Sequence, residues 1–165
     1  MIRLERWGSG DLALLQGLLG DPAMMSHLGG PESPEKIATR QTRYEQDPKQ
    51  LKIVAEATGE GVGWVGYWER EWRDQEVYEI GWSVLPAFQG RGIAGAATRA
   101  VLDAARAERD RRFVHAYPSV DNAPSNGLCR KVGFALLGSH EFEWPKDSGI
   151  MMRCNDWRFD LFATG

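Results

Sequence analysis

The sequence predicts an α/β chain of the α+β kind: one central sheet of about seven strands, mixed but mostly antiparallel, with helices on both faces. Apolar residues recur at helical spacing in some stretches and alternate with period two in the others, and the stretches change from one period to the other along the chain. The passage from Val77 through a long helical stripe to Tyr117 is strand, helix, strand, which implies a parallel pair. The alternating stretches from Leu51 to Glu69 form a hairpin, with Val77–Leu85 as a third antiparallel strand, and the last two strands form a terminal hairpin.

Residues 2–6 form a short first strand. Ser9 is a candidate N-cap for a helix whose apolar stripe is Leu12, Leu14, Leu15, Leu18 and Leu19, ended by Asp21-Pro22. After the loop Gly29-Gly30-Pro31, Ser33-Pro34-Glu35 starts a second, largely polar helix that runs to about Asp47. From Leu51 the period drops to two: Leu51, Ile53, Ala55 and Ala57 alternate, Thr58-Gly59-Glu60-Gly61 turns, and Val62–Glu69 returns. Val77–Leu85 is the next strand. Ile93, Ala97, Ala100, Val101 and Ala104 trace a helix to about Arg109, followed by a strand from Arg112 to Tyr117. Residues 122–132 make a short helix closed by Gly133, and Phe134–Trp144 and Ile150–Leu161 form a terminal hairpin around Pro145–Gly149.

With 165 residues the chain is long enough to bury a core without metal or disulfide staples, and is expected to form one domain over residues 1–165. Seven tryptophans argue against disorder. A net charge of -3 gives no basic footprint for nucleic acid and is compatible with a cationic small substrate. Cys129 and Cys154 have no C-x-x-C spacing, and His27, His115 and His140 are scattered singles, so no metal site is expected and the histidines are expected to be structural or exposed. A reducing cytoplasm is the expected compartment. No apolar run is long enough for a bilayer, so no membrane partner is expected. Oligomeric state is left open, a homodimer being compatible with the chain.

The most informative stretch is Gln89-Gly90-Arg91-Gly92-Ile93-Ala94, at the boundary between a strand pattern and an alanine-rich helix. Small residues at 90, 92 and 94 let a ligand approach the backbone. The first turn of the helix offers unpaired N–H groups with a partial positive charge, and Arg91 adds a full one. No Gly-Lys-Ser/Thr follows and the spacing is not G-x-G-x-x-G, so neither a nucleotide P-loop nor a dinucleotide fold explains it.

Together with Glu79-Ile80-Gly81-Trp82-Ser83-Val84-Leu85-Pro86 before this turn, and Asn122-Ala123-Pro124-Ser125-Asn126 leading to Arg130-Lys131-Val132-Gly133-Phe134 after it, the chain resembles the GCN5-related N-acetyltransferase (GNAT) superfamily over essentially its whole length. The N-x-x-S-N segment is most similar to the branch that acetylates ribosomal-protein N-termini. The resemblance implies acetyl-CoA as cosubstrate, its pyrophosphate held by backbone N–H groups of Gln89, Gly90, Arg91, Gly92, Ile93 and Ala94. It also implies that Ser83, Val84 and Leu85 pair with the pantetheine amides, with an N–H of Val84 or Leu85 polarising the thioester carbonyl. Asn122 would bond the pantetheine arm, and Asn126 and Arg130 would approach the adenosine end.

Acetyl transfer needs a neutral amine, and an amine with a pKa near 10 is mostly protonated at neutral pH, so a base or water relay is expected. Glu79 is the candidate base. It shares a strand face with Gly81 and Ser83, while Tyr78, Ile80, Trp82 and Val84 form an apolar set on the other; a merely solvated Glu79 is the competing reading. Where many relatives carry a tyrosine acid this chain has Cys129, so Ser125 is the candidate acid, with helix capping or a cofactor contact as its alternatives. A CoA thiol with a pKa near 8.5 can also leave unaided. Trp64, Trp68, Trp72 and Trp82 are expected to serve packing, with room for one or two at the acceptor site. Glu141, Glu143 and Asp147 either give the acceptor side a negative field or line a solvated strand.

The function expected is thus direct acetyl transfer to a primary amine, whether a protein N-terminus, an aminoglycoside or a polyamine. The alternatives are a non-catalytic acyl-CoA-binding module and an unrelated phosphate-binding α/β domain.

Overall fold

A computed structural model describes residues 1–164. The described residues form seven strands, β1 (Ile2–Arg6), β2 (Gln50–Ala55), β3 (Glu60–Trp72), β4 (Gln75–Val84), β5 (Phe113–Ala116), β6 (Ala135–Glu143) and β7 (Met151–Asp160). Its helices are α1 (Leu12–Leu19), α2 (Pro34–Gln46), α3 (Ile93–Glu108) and α4 (Ala123–Val132). The strands join in the order β1-β2-β3-β4-β5-β7-β6. Pairs β1/β2, β2/β3, β5/β7 and β6/β7 are antiparallel, whereas β4/β5 is parallel, as the strand–helix–strand passage requires.

The chain forms two compact units, one of Met1–Gly66 with Trp82–Ala97, the other of Tyr67–Gly81 with the chain from Thr98 onward. In the first unit, Leu15 and Leu18 of α1 bury against Trp7, Ile37 and Tyr44, and Leu12, Leu14 and Leu19 pack around them half-buried. The leucine stripe therefore faces inward as its spacing predicts. Tyr44 stacks on Trp64 at 5.8 Å and 8°, and the Trp64 indole donates to Gln50 Oε1 at 3.0 Å. Helix α2 starts as its sequence indicates: the Ser33 hydroxyl accepts from Lys36 N–H, and Pro34 occupies the first turn. Helix α1 does not. Ser9 makes no cap; a short 3₁₀ turn over Ser9–Asp11 precedes it, and Asp11 reaches back to accept from Gly8 N–H at 2.7 Å and from Lys52 Nζ at 2.9 Å.

In the second unit the Tyr78 hydroxyl donates to Glu108 at 2.7 Å, Tyr67 donates to the other oxygen of that carboxylate, and the two rings meet edge to face at 5.2 Å. Helix α4 is capped at its start by Asn122 Oδ1, which accepts from Ser125 N–H, and closed by Gly133 in the left-handed region at φ 110°.

Two departures from the sequence pattern have physical causes. Strand β3 runs to Trp72 and β4 begins at Gln75, both longer than the alternation indicates, because the turn between them is Arg73-Asp74, with φ of 51° and 61° and no glycine to announce it. The buried stripe of α3 is Ala97, Thr98, Val101, Leu102 and Ala105, while Ala100 and Ala104 are exposed. So many small alanines leave the apolar direction of that helix poorly defined by residue type alone.

Candidate active site

The glycine-rich turn lies in the first unit and is built from backbone. Gly90 and Gly92 have φ of 73° and 76°, a left-handed conformation that side-chain-bearing residues adopt only under strain. A Cβ at either position would meet no atom within 4 Å, so the space above the turn is open. The first helical hydrogen bond of α3 runs from Ala96 N–H to Gly92 C=O at 3.0 Å, so the N–H groups of Gly92–Gly95 precede the helical ladder. Arg91 is exposed and its guanidinium lies over the Phe88 ring at 5.5 Å. The side chain of Gln89 turns back toward the strand, where its amide donates to Val84 C=O at 2.9 Å and ties the end of β4 to the turn.

At the end of β4 the two expected oxyanion donors separate. Leu85 N–H donates to Val62 C=O at 2.9 Å and so takes part in the sheet. Alternation along an extended chain turns the N–H of Val84 away from β3, so Val84 keeps that candidacy.

The other residues of interest lie in the second unit. Glu79 and His115 are partners in the parallel β4/β5 ladder and so share a sheet face. The ladder pairs only Tyr78 with Val114 and Glu79 with His115, so Glu79 stands where β4 and β5 cease to bond. Burial pushes the Glu79 carboxyl above its ordinary value of 4.5, and the hydrogen bond and charge of Arg70, with the charge of His115, oppose this without cancelling it. Arg70 is paired directly to Glu79.

His115 is structural, one of the two outcomes expected for the histidines. It is buried, its Nδ1 lies 2.6 Å from Asp156 Oδ1, and the other oxygen of Asp156 accepts from the Trp72 indole at 3.1 Å. Asp156 is itself 1% exposed. Burial raises its carboxyl, but the hydrogen bond and charge of His115 outweigh that and hold it below the ordinary aspartate range. An ionised Asp156 accepts from Nδ1–H, which fixes the proton there when the imidazole is neutral. His140 is also drawn in, with Arg73 Nη2 at 3.0 Å from its Nε2 and the Trp72 ring at 5.5 Å.

On helix α4 the structure separates residues that the sequence groups together. Asn126 uses its whole capacity inside the protein: Nδ2 donates to Ser119 C=O and Asn122 C=O, both at 2.9 Å, and Oδ1 accepts from Asn155 and from the Trp157 indole, both at 2.8 Å. It is a tie between α4 and β7. The side-chain oxygen of Asn122 caps the helix at Ser125 N–H, so the capping alternative for this segment falls on Asn122 rather than Ser125. Arg130 is exposed over the Trp157 ring at 5.5 Å. Cys129 is fully buried, and burial pushes its thiol up to about 12, so it packs the helix rather than replacing the missing tyrosine. Glu141 pairs with Arg153 at 3.3 Å and Glu143 accepts from Gly149 N–H at 2.8 Å, both exposed on the terminal hairpin.

Sequence reasoning misses Arg70, His115, Tyr117, Phe142 and Asp156, which come from β3, β5 and the segment after it, β6 and β7. Each alone has an ordinary structural explanation, and no local spacing links them. Trp72 stands out in the sequence only as one of several tryptophans.

The fold is shared with a GNAT-family acetyltransferase from Bacillus anthracis, with a TM-score of 0.84, 17% identity, and coverage of 97% of this chain and 95% of that one. A spermidine N-acetyltransferase from Vibrio cholerae, solved with CoA and spermine, matches at a TM-score of 0.77 and 19% identity over 97% and 95% of the two chains. A ribosomal-protein-S5-alanine acetyltransferase from Vibrio fischeri matches at 0.78 and 15% over 98% and 93%. Residues 2–135 match the family model for the acetyltransferase (GNAT) domain. The chain therefore belongs to the GNAT acetyltransferase family.

Proposed function

We propose that this protein transfers the acetyl group of acetyl-CoA directly to a primary amine. The observation that carries this is the turn from Gly90 to Gly95: two left-handed glycines, open space above them, and N–H groups ahead of the α3 ladder form a cradle suited to a pyrophosphate. In this scheme the backbone from Gln89 to Ala94 holds the pyrophosphate and Arg91 adds charge. Ser83 and Val84 pair with pantetheine, and Val84 N–H stabilises the oxyanion of the tetrahedral intermediate. Asn122 and Arg130 remain contacts toward the pantetheine and adenosine parts. Glu79 takes a proton from the acceptor ammonium, so that the neutral amine attacks the thioester carbonyl, and its raised pKa makes it a stronger base than an exposed glutamate. Ser125 protonates the thiolate, or the thiolate leaves unaided. The Vibrio cholerae neighbour supports a polyamine-type acceptor and the Vibrio fischeri neighbour a peptide N-terminus.

One observation favours a non-catalytic acyl-CoA-binding module instead: the Glu79 carboxylate is occupied by Arg70. Thiol release measured with acetyl-CoA against polyamines, aminoglycosides and peptides of varied N-terminus decides. Turnover on any of these amines supports the transferase; CoA binding with no turnover on the whole panel supports the module.

A further inference from the structure

Three aromatic rings of the second unit surround one guanidinium. Trp72 lies 5.2 Å from Tyr117 and 5.4 Å from Phe142, and Tyr117 lies 5.4 Å from Phe142. The Arg70 guanidinium carbon sits 4.6 Å from the centroid of Tyr117, 5.1 Å from that of Trp72 and 5.6 Å from that of Phe142, with the Glu79 carboxylate as its anion. Ring faces carry negative potential, so rings clustered around a carboxylate make a site for an organic cation. Here the chain fills that site with its own side chain.

Two further observations point to an exchangeable occupant. The side chains of Arg70 and Glu79 are 29% and 21% exposed, whereas His115 and Asp156 are 3% and 1%. The cation is thus within reach of solvent while the pair that braces Trp72 is not. In addition, the Tyr117 hydroxyl is buried with no hydrogen-bond partner among the described residues. Arg70 covers the face of that ring and leaves its oxygen unsatisfied. A buried hydroxyl without a partner is costly, and an N–H donor entering the cage would satisfy it.

We propose that the Trp72–Tyr117–Phe142 cage over Glu79 is the binding site for the cationic group of the acceptor, an alkylammonium or guanidinium, and that Arg70 is a resident substitute which leaves when the acceptor enters. This rests on the acetyltransferase assignment above and narrows its acceptor to one that arrives as an organic cation. Arg70 keeps the cage closed and its carboxylate compensated in the free protein, and an acceptor ammonium takes over the same carboxylate and the same rings.

The test is a calorimetric titration of the full chain with methylguanidinium and with spermidine, in the absence of acetyl-CoA. Arg70→Ala vacates the cage and is expected to bind methylguanidinium at least about tenfold more tightly than the wild type. Adding Trp72→Leu or Glu79→Gln to Arg70→Ala is expected to abolish that gain. Arg70→Met, which fills the volume of the stem, serves if Arg70→Ala does not fold, and circular dichroism with thermal melting establishes folding for each variant. A folded Arg70 variant that binds neither cation better than the wild type, or a gain that survives Trp72→Leu, overturns the proposal. Because binding is read without the donor, the cage can fail while amine turnover stands, and turnover can fail while the cage binds.

Discussion

The donor turn and the aromatic cage are built from opposite materials. From Gly90 to Gly95 the functional groups are main-chain N–H, and the side chains matter mainly by being absent. Around Glu79 the backbone is ordinary strand, and everything of chemical interest is a side chain, contributed by Arg70, Trp72, His115, Tyr117, Phe142 and Asp156. The two regions should therefore fail differently: the turn suffers from an added Cβ and tolerates loss of a side chain, the cage the reverse.

The largest effect is expected at the carboxylate. Glu79→Gln should lower kcat/KM by at least about a hundredfold, as loss of a general base does, while acetyl-CoA affinity measured by titration stays within about twofold. The pH profile sharpens this. Because the Glu79 pKa is raised, the acid limb of kcat/KM should lie above the ordinary glutamate range, and Glu79→Gln should erase it. Arg70 lowers that pKa, so Arg70→Ala should move the limb to higher pH. A limb that stays in place separates Arg70 from the base.

Next in size is the brace beneath the cage. Asp156→Asn leaves a buried imidazole without its anion and should cost about 3 kcal/mol in urea unfolding at pH 7. The Asp156 pKa is depressed, so its contribution is present above the ordinary aspartate value of 3.8 and lost as pH falls through the lower folded value. The gap between variant and wild type should therefore close on acidification; a gap constant from pH 7 to pH 2 would break the assignment.

The turn supplies the two smaller effects. Gly92→Val forces a β-branched residue to a φ of 76° and places methyl groups in the open space above the turn. A strain of about 2 kcal/mol corresponds to roughly thirtyfold weaker acetyl-CoA binding. Arg91→Ala removes only an exposed charge and should weaken the cofactor by less than about 1 kcal/mol, shrinking further with added salt. If Arg91→Ala proves the more damaging of the two, the turn is a side-chain site and the contrast with the cage collapses.

The same contrast explains what is legible before folding. Helix α2 announces itself through Ser33-Pro34, the end of helix α4 through Gly133, and the donor turn through Gly90 and Gly92, because caps and left-handed glycines act within a few residues of themselves. The β3/β4 turn at Arg73-Asp74 escapes notice because it adopts the same left-handed backbone without the residue that usually marks it. The saturation of Asn126 and the commitment of Leu85 N–H to Val62 are invisible in the sequence, since each depends on a partner far along the chain.

The succession of strands and helices, the start of α2 marked by Ser33-Pro34, the end of α4 marked by Gly133, and the anion-binding turn thus follow from local rules, since periodicity and backbone conformational preference need no distant partner. The pairing of Glu79 with Arg70, the His115–Asp156 brace and the three rings around one guanidinium were decided only when the second unit folded. Strands distant in sequence must pair before side chains on a shared face can meet, and no spacing along the chain encodes which ones will.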